Sequence, residues 1–294
     1  MNNKVTGMRY ESPETVDAAV SLLAAETGLT KVLAGGTDLL VQVRSGMVEP
    51  ALVVDLKRIP GMLDIIPEDG GFRIGAGVSC ASLGEHEALK ALWPGVVESA
   101  NLIGSTQIQG RATVAGNLCN ASPAADSVPA MIAAGATARI QGPSGVRDIA
   151  VEALAEGPGK TTLGAGEMVT SIHLPARPAH SGDAYLRFIP RTEMDIAVVG
   201  AAVSLALDDA GVCTAARVSL GAVAPRALLV EDAANALIGT AVDDGAVERM
   251  AEACSAACQP IDDKRGTRAY RIATAGVLAR RACKIALSRA RSQT

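Results

Sequence analysis

Aromatic side chains are scarce: Trp93, Tyr10, Tyr185, Tyr270, Phe72 and Phe188 are the whole complement of a 294-residue chain. That is too few for the stacked platforms on which single-stranded nucleic acid is held. Cationic excess is missing as well, since 27 Lys and Arg face 31 Asp and Glu for a formal charge of −4. Nothing there offers DNA or RNA an electrostatic footprint. Long apolar runs are also absent; the longest, residues 197–207, is about half the roughly 20 residues a membrane-crossing helix needs. The opening MNNKVTGMRYESPE lacks the apolar core of a secretory signal, so a soluble, cytoplasmic protein is expected.

The six cysteines, at 80, 119, 213, 254, 258 and 283, include no Cys-x-x-Cys and no cysteine-rich block that could ligate zinc or an iron–sulfur cluster. They read as buried thiols. Cys254 and Cys258 would share a helix face, but no histidine or third cysteine lies near them in sequence to complete a metal set. His86, His173 and His180 form no ligand cluster. G-x-S-x-G and H-E-x-x-H are absent, which leaves hydrolytic catalysis unsupported, and the missing G-x-G-x-x-G removes support for a Rossmann dinucleotide domain.

What the chain does have is length for about two domains, with alanine and glycine supplying much of its bulk. Ser12-Pro13-Glu14 predicts an N-cap and helix start ahead of Val16, Ala19, Val20 and Leu23. A short strand from Lys31 meets Gly35-Gly36, Thr37 is placed to cap a second helix, and Leu52-Val53-Val54 reads as a buried strand. Short strands are predicted at 72–77, 136–141, 145–150 and 168–174, with helices near 81–90, 91–103 and 125–134. Residues 104–126 are irregular and rich in Gly, Ser, Thr and Asn, a character that marks functional segments. A linker is expected at 173–183, then strands at 197–207 and 212–221 joined by an Asp/Gly turn, then helices. Every charge after Asp263 is positive; these residues suit either an acidic partner or a solvated face.

Two glycine-bearing segments carry the chemical signal. In KVLAGGTDLL (31–40) a strand, two glycines and a helix start direct backbone N–H groups to one point, where an anion is stabilised. Residues 113–117 (TVAGN) add a hydroxyl, small residues and an amide. Two such loops can clamp a pyrophosphate, although Gly-Gly after a strand is also an ordinary turn. A competing signal, Gly157-Pro158-Gly159-Lys160-Thr161, resembles the end of a P-loop but has Leu154 where that motif needs glycine. Asp38, Asp126, Glu167, Glu193 and Asp195 are acids near these segments that act either in catalysis or as caps and ligand-hydroxyl partners.

AGGTDLL (34–40), TVAGNLCNASPAAD (113–126) and PIDDKRGTRAYRIATAGVLARRA (260–282) together resemble the FAD-binding medium subunit of molybdenum hydroxylases of the xanthine dehydrogenase and carbon monoxide dehydrogenase type. The resemblance implies an α+β chain. A two-subdomain FAD-binding domain of the vanillyl-alcohol-oxidase-like (PCMH) type would occupy residues 1–177, with subdomains of about 1–55 and 56–177. A C-terminal α+β domain, an antiparallel sheet plus helices, would occupy 178–294. By resemblance, Lys31, Val32, Leu33, Ala34, Gly35, Gly36, Thr37 and Asp38 hold the FAD pyrophosphate together with Thr113, Ala115, Gly116 and Asn117. Asp126 matches an acid that contacts FAD, Ile103 and Val169 match apolar positions along the flavin, and Arg187 stands where relatives carry a flavin-side lysine.

The resemblance further implies that the chain is the electron exit of a complex and has no catalytic residue of its own. A large subunit with the molybdenum cofactor would oxidise substrate, a small subunit with 2Fe-2S clusters would relay electrons, and FAD here would pass them to NAD, a quinone or oxygen. An (αβγ)2 assembly is implied. Thr37-Asp38 replaces the His-Ser pair of the carbon monoxide dehydrogenase type, which points to an N-heterocycle, aldehyde or aromatic substrate for the complex. A self-sufficient FAD-dependent oxidase and a P-loop-like nucleotide binder using Lys160 are the alternative readings.

Overall fold

The structure, a computed structural model, describes residues 7–292. Its first unit comprises β1 (Arg9–Glu11), α1 (Val16–Ala25), β2 (Thr30–Leu33), α2 (Leu39–Arg44) and β3 (Leu52–Asp55). β3 lies between β1 and β2 and runs parallel to both. All four of its residues are buried, as expected of a parallel strand covered on both faces. α1 begins later than the Ser12-Pro13 signal suggests. Thr15 is the N-cap, its hydroxyl accepting from the Ala18 N–H at 3.1 Å, so Pro13 sits in the approach rather than in the first turn. The helix then buries Ala19, Val20 and Leu23, the larger two of which are worth about 1.5–3 kcal/mol each.

The second unit is a five-stranded antiparallel sheet in the order β4-β5-β10-β6-β7 with helices packed on it. Its strands are β4 (Ile65–Glu68), β5 (Gly71–Gly75), β6 (Thr137–Gly142), β7 (Gly145–Ala150) and, after the ribbon β8 (Ala155–Gly157) and β9 (Lys160–Thr161), β10 (Met168–Leu174). Between β5 and β6 run α3 (Cys80–Glu85), α4 (Glu87–Leu92), α5 (Pro94–Ala100), α6 (Thr106–Gln109), α7 (Val114–Cys119) and α8 (Ser127–Ala133). The helix expected at 81–90 is broken at His86, whose backbone turns extended and whose Nδ1 accepts from Leu89 N–H at 3.1 Å to start α4. Pro158-Gly159 is the tight turn between β8 and β9, with Gly159 at φ +70°. Lys160 therefore lies on a strand, and the segment opens no helix of the kind a P-loop requires.

The C-terminal part is a four-stranded antiparallel sheet of β11 (Ser181–Phe188), β12 (Val199–Leu207), β13 (Cys213–Gly221) and β14 (Leu228–Leu229), followed by α9 (Glu231–Asn235), α10 (Asp244–Ala257) and α11 (Arg268–Ser292). The β12–β13 turn is set by Asp208, whose carboxylate accepts from Ala210 and Val212 N–H, and by Gly211 at φ +80°. α11 lays a seam of Ala275, Ala279, Ala282, Ala286 and Ala290 into the core it shares with the sheet, while Gly276 faces α10, where a Cβ would lie 2.8 Å from Ser255 Oγ. A Cβ on Gly182 of β11 would stand 2.0 Å from the Ala286 carbonyl oxygen. The abundance of small residues thus lets helix and strand backbones meet.

The expected linker is instead a fastened joint. β10 runs to Leu174 and β11 starts at Ser181. Between them Arg177 stacks on Trp93 at 4.4 Å and donates to the Leu92 carbonyl at 2.6 Å and to Asp183 at 2.7 Å. Asp183 also accepts from Gly95 N–H at 2.8 Å. Arg289 of α11 reaches Glu98 and the Asp183 carbonyl, and Arg217 of β13 reaches the Ile132 carbonyl and Glu152. The cationic end of the chain is accordingly used in part within the fold. Arg271 is buried against Val198 O and Asp263, while Arg280 and Lys284 pair with Glu248 and Asp244.

Candidate functional site

A cleft of about 320 Å³ opens between the first and second units, a volume within the range of small-molecule and cofactor sites. Its floor is built where β2 ends and the chain turns through Gly35 and Gly36 into α2. Gly36 has φ +80°, a left-handed conformation that favours glycine. At Gly35 the requirement is tertiary: a Cβ would lie 2.0 Å from the Arg111 carbonyl oxygen and 3.1 Å from Ala112 Cα. The first glycine turn therefore rests against the backbone that leads into residues 113–117. Lys57 braces it, its ammonium donating to the Ala34 carbonyl at 3.1 Å and to Asp55 at 2.7 Å.

Among the described residues the N–H groups of Gly35, Gly36, Thr37 and Asp38 have no backbone acceptor. Asp38, rather than Thr37, is the N-cap residue of α2, and it makes no side-chain capping bond. Burial pushes the Asp38 carboxyl above its usual range. The 113–117 segment is helical rather than a loop. Thr113 is the N-cap of α7, its hydroxyl accepting from Gly116 N–H at 2.9 Å. Asn117 Oδ1 accepts from both the N–H and the hydroxyl of Ser127, tying α7 to α8.

The cleft brings together Lys31, Val32, Ala34, Gly35, Gly36, Thr37 and Asp38 with Ile103, Thr113, Ala115, Gly116, Asn117 and Val169. Three residues singled out in the sequence are elsewhere. Leu33, the last residue of β2, is buried and does not line the cleft. Asp126 and Arg187 are not among the lining residues but pair with each other at 2.8 Å, with Tyr185 Oη donating to Asp126 at 3.3 Å. Burial drives the Asp126 carboxyl up to about 6 against the opposing influence of Arg187. This pair bridges the start of α8 and β11.

Other parts of the lining are Leu23, Thr30, Gln42, Cys119, Asn120 and the wall from Leu163 to Met168, of which the sequence had singled out Glu167 as a candidate acid. Gln42 Nε2 donates to Asn120 Oδ1 at 3.1 Å, joining α2 to the end of α7. Cys119 has its thiol pushed up to about 12 by burial, which keeps it protonated. Apart from Glu167, the signal for the wall was the glycine content of TLGAGE (162–167), which reads equally as a surface turn. All six cysteines are free thiols, and among the described residues no three or more His, Cys, Asp or Glu are grouped to hold a metal. No helix among them is long and apolar enough to cross a membrane.

Residues 5–177 match the family described as the FAD binding domain in molybdopterin dehydrogenase, and residues 184–286 match the CO dehydrogenase flavoprotein C-terminal domain. The carbon monoxide dehydrogenase medium chain of Afipia carboxidovorans is 33% identical over 96% of this chain and 98% of its own length. The xanthine dehydrogenase FAD-binding subunit of Escherichia coli is 29% identical over 90% of each chain. Among solved structures, CO dehydrogenase from Oligotropha carboxidovorans superposes with a TM-score of 0.91 at 33% identity, covering 96% of this chain and 98% of that one. Quinoline 2-oxidoreductase from Pseudomonas putida 86 does so with 0.88 at 26% identity, covering 96% and 98%. With the glycine turn, the capped α7 and the C-terminal sheet all in place, the chain belongs to the family of FAD-binding medium subunits of molybdopterin dehydrogenases.

Proposed function

We propose that the cleft holds FAD with its diphosphate between residues 35–38 and 113–117 and its flavin ring toward Ile103 and Val169. The chain is then the electron exit of a cytoplasmic molybdenum hydroxylase. It accepts electrons from the 2Fe-2S clusters of a small subunit, beside a large molybdenum-cofactor subunit in an (αβγ)2 assembly, and delivers them to NAD, a quinone or oxygen. Residues 1–177 form the cofactor-binding domain in this reading, and residues 178–294 complete the subunit.

The observation that carries it is the contact of the Gly35 backbone with Arg111 and Ala112, which sets the two small-residue segments over one cleft. N–H groups at 35–38 that have no backbone acceptor among the described residues fit a diphosphate, and Thr113, Ala115 and Gly116 leave room for backbone approach. Bound flavin supplies reversible electron transfer, whereas this chain binds and orients it and sets its electrostatic surroundings. Lys57 fixes the carbonyl of Ala34, and Asn117 fixes α7 to α8, so the segments are held before the cofactor arrives. Free thiols suit a reducing compartment.

Flavin absorbance of the isolated chain and of the reconstituted complex tests this. The expected result is one FAD per chain, reduced by the complex's substrate only when the partner chains are present. Substrate-driven reduction in the isolated chain would instead establish a self-sufficient oxidase, and a chain without flavin would overturn the reading.

A further inference from the structure

The charged residues lining the cleft are Lys31, Asp38 and Glu167. Two carboxylates and one ammonium make a poor surround for a ligand that carries a diphosphate, so something must cancel part of that negative charge. Arg147 of β7 does so from behind the wall. It does not line the cleft, yet its Nε donates to Glu167 Oε1 at 2.8 Å and its Nη2 to Oε2 at 2.7 Å, a two-pronged fork. Oε2 also accepts the Gly164 N–H at 2.7 Å, which closes the wall on itself. Gly166, at φ +77°, is pressed so closely that a Cβ would lie 2.9 Å from both Ala24 and Pro143 side-chain atoms. The wall thus has a fixed shape, and the Glu167 carboxylate is spent on it.

Resting on the FAD reading above, we propose that Arg147 is a positioning residue for the cofactor: it cancels the Glu167 charge at the cleft wall and holds residues 163–168 in the form that admits a diphosphate-bearing ligand. The Arg147 hydrogen bond and the Gly164 N–H keep the Glu167 carboxyl down at about 2. Protonation therefore does not relieve the charge at neutral pH, and the task falls to the guanidinium.

The test is titration of the full-length apo chain with FAD at low and high salt, for the unaltered protein, Arg147→Ala, Glu167→Gln and the double variant. Arg147→Ala is expected to weaken FAD binding roughly three- to tenfold, by uncovering a carboxylate. Raising the salt concentration shrinks that loss, and adding Glu167→Gln restores at least half of it. Thermal unfolding of each apo variant identifies any that fails to fold, and Arg147→Lys, which keeps the charge without the fork, falls between. Unaltered affinity in Arg147→Ala overturns the proposal. So does an equal, salt-independent loss in the single and double variants, since that outcome leaves the charge with no part. Failure of the unaltered chain to bind FAD overturns the cofactor reading itself, and the first titration reveals it before any variant is compared.

Discussion

A methyl group added at Gly35 would stand 2.0 Å from the carbonyl oxygen of Arg111, where ordinary contact begins at 3.4 Å, so the two backbones must part by about 1.4 Å. No side-chain rotation relieves this, because both partners are main chain. Such overpacking costs about 1–3 kcal/mol. For a chain of this size that lowers the unfolding midpoint by about 2–4 °C per kcal/mol. The effect on the cofactor should exceed the effect on the fold, since the displaced segments are the two proposed to grip one diphosphate. Gly35→Ala is therefore expected to remain folded, to unfold several degrees lower as the apo protein, and to bind FAD at least tenfold more weakly. Differential scanning fluorimetry and FAD titration by isothermal calorimetry read the two effects separately. Unchanged FAD affinity in Gly35→Ala would show that the two segments do not act as a pair.

Two further variants probe the frame around the cleft. Arg177→Ala removes the partner of buried Asp183 and the stack on Trp93 at the joint after β10. Loss of about 3–5 kcal/mol is expected in urea unfolding, and a change under 1 kcal/mol would contradict the assignment of this joint as a fixed one. The Asp126 carboxyl is raised to about 6 from 3.8, so the folded chain holds that proton more tightly than the unfolded chain does. Ionising it costs stability above about pH 6, a cost that fades as the pH falls through 6 toward 4. Asp126→Asn should flatten this part of the stability–pH curve, and an unchanged slope would show that the pair with Arg187 does not titrate as described.

The parts of this fold that were legible in sequence are those decided by neighbours. β2, its glycine turn and α2 follow from residues 30–44 alone, and the β12–β13 hairpin follows from Asp208 and Gly211. Two kinds of feature were misread or missed: helix caps, where several nearby residues compete for one role, and contacts between distant segments. Ser12 has the right chemistry for a cap, but Thr15 has the geometry. His86 divides a helix because its ring nitrogen caps the next one, a role that periodicity does not register. The candidate site shows the same division. Small residues at 35–36 and 113–117 announced themselves, whereas the reason for Gly35 lies in the backbone of Arg111, and the wall at 163–168 depends on a fork from β7. Asp126 and Arg187 looked like separate cofactor contacts, since nothing local indicated that they face each other.

Flavin occupancy of Gly116→Val decides whether residues 113–117 grip the cofactor. A Cβ at this position meets only the Thr113 hydroxyl, at 2.8 Å, and otherwise open cleft. The Cβ therefore disturbs the Thr113 cap, a loss of about 1 kcal/mol, and the valine methyls beyond it occupy the cleft side of α7. The expected protein is folded, normal by circular dichroism, and retains little or no FAD. A folded Gly116→Val protein carrying one FAD per chain would contradict that grip.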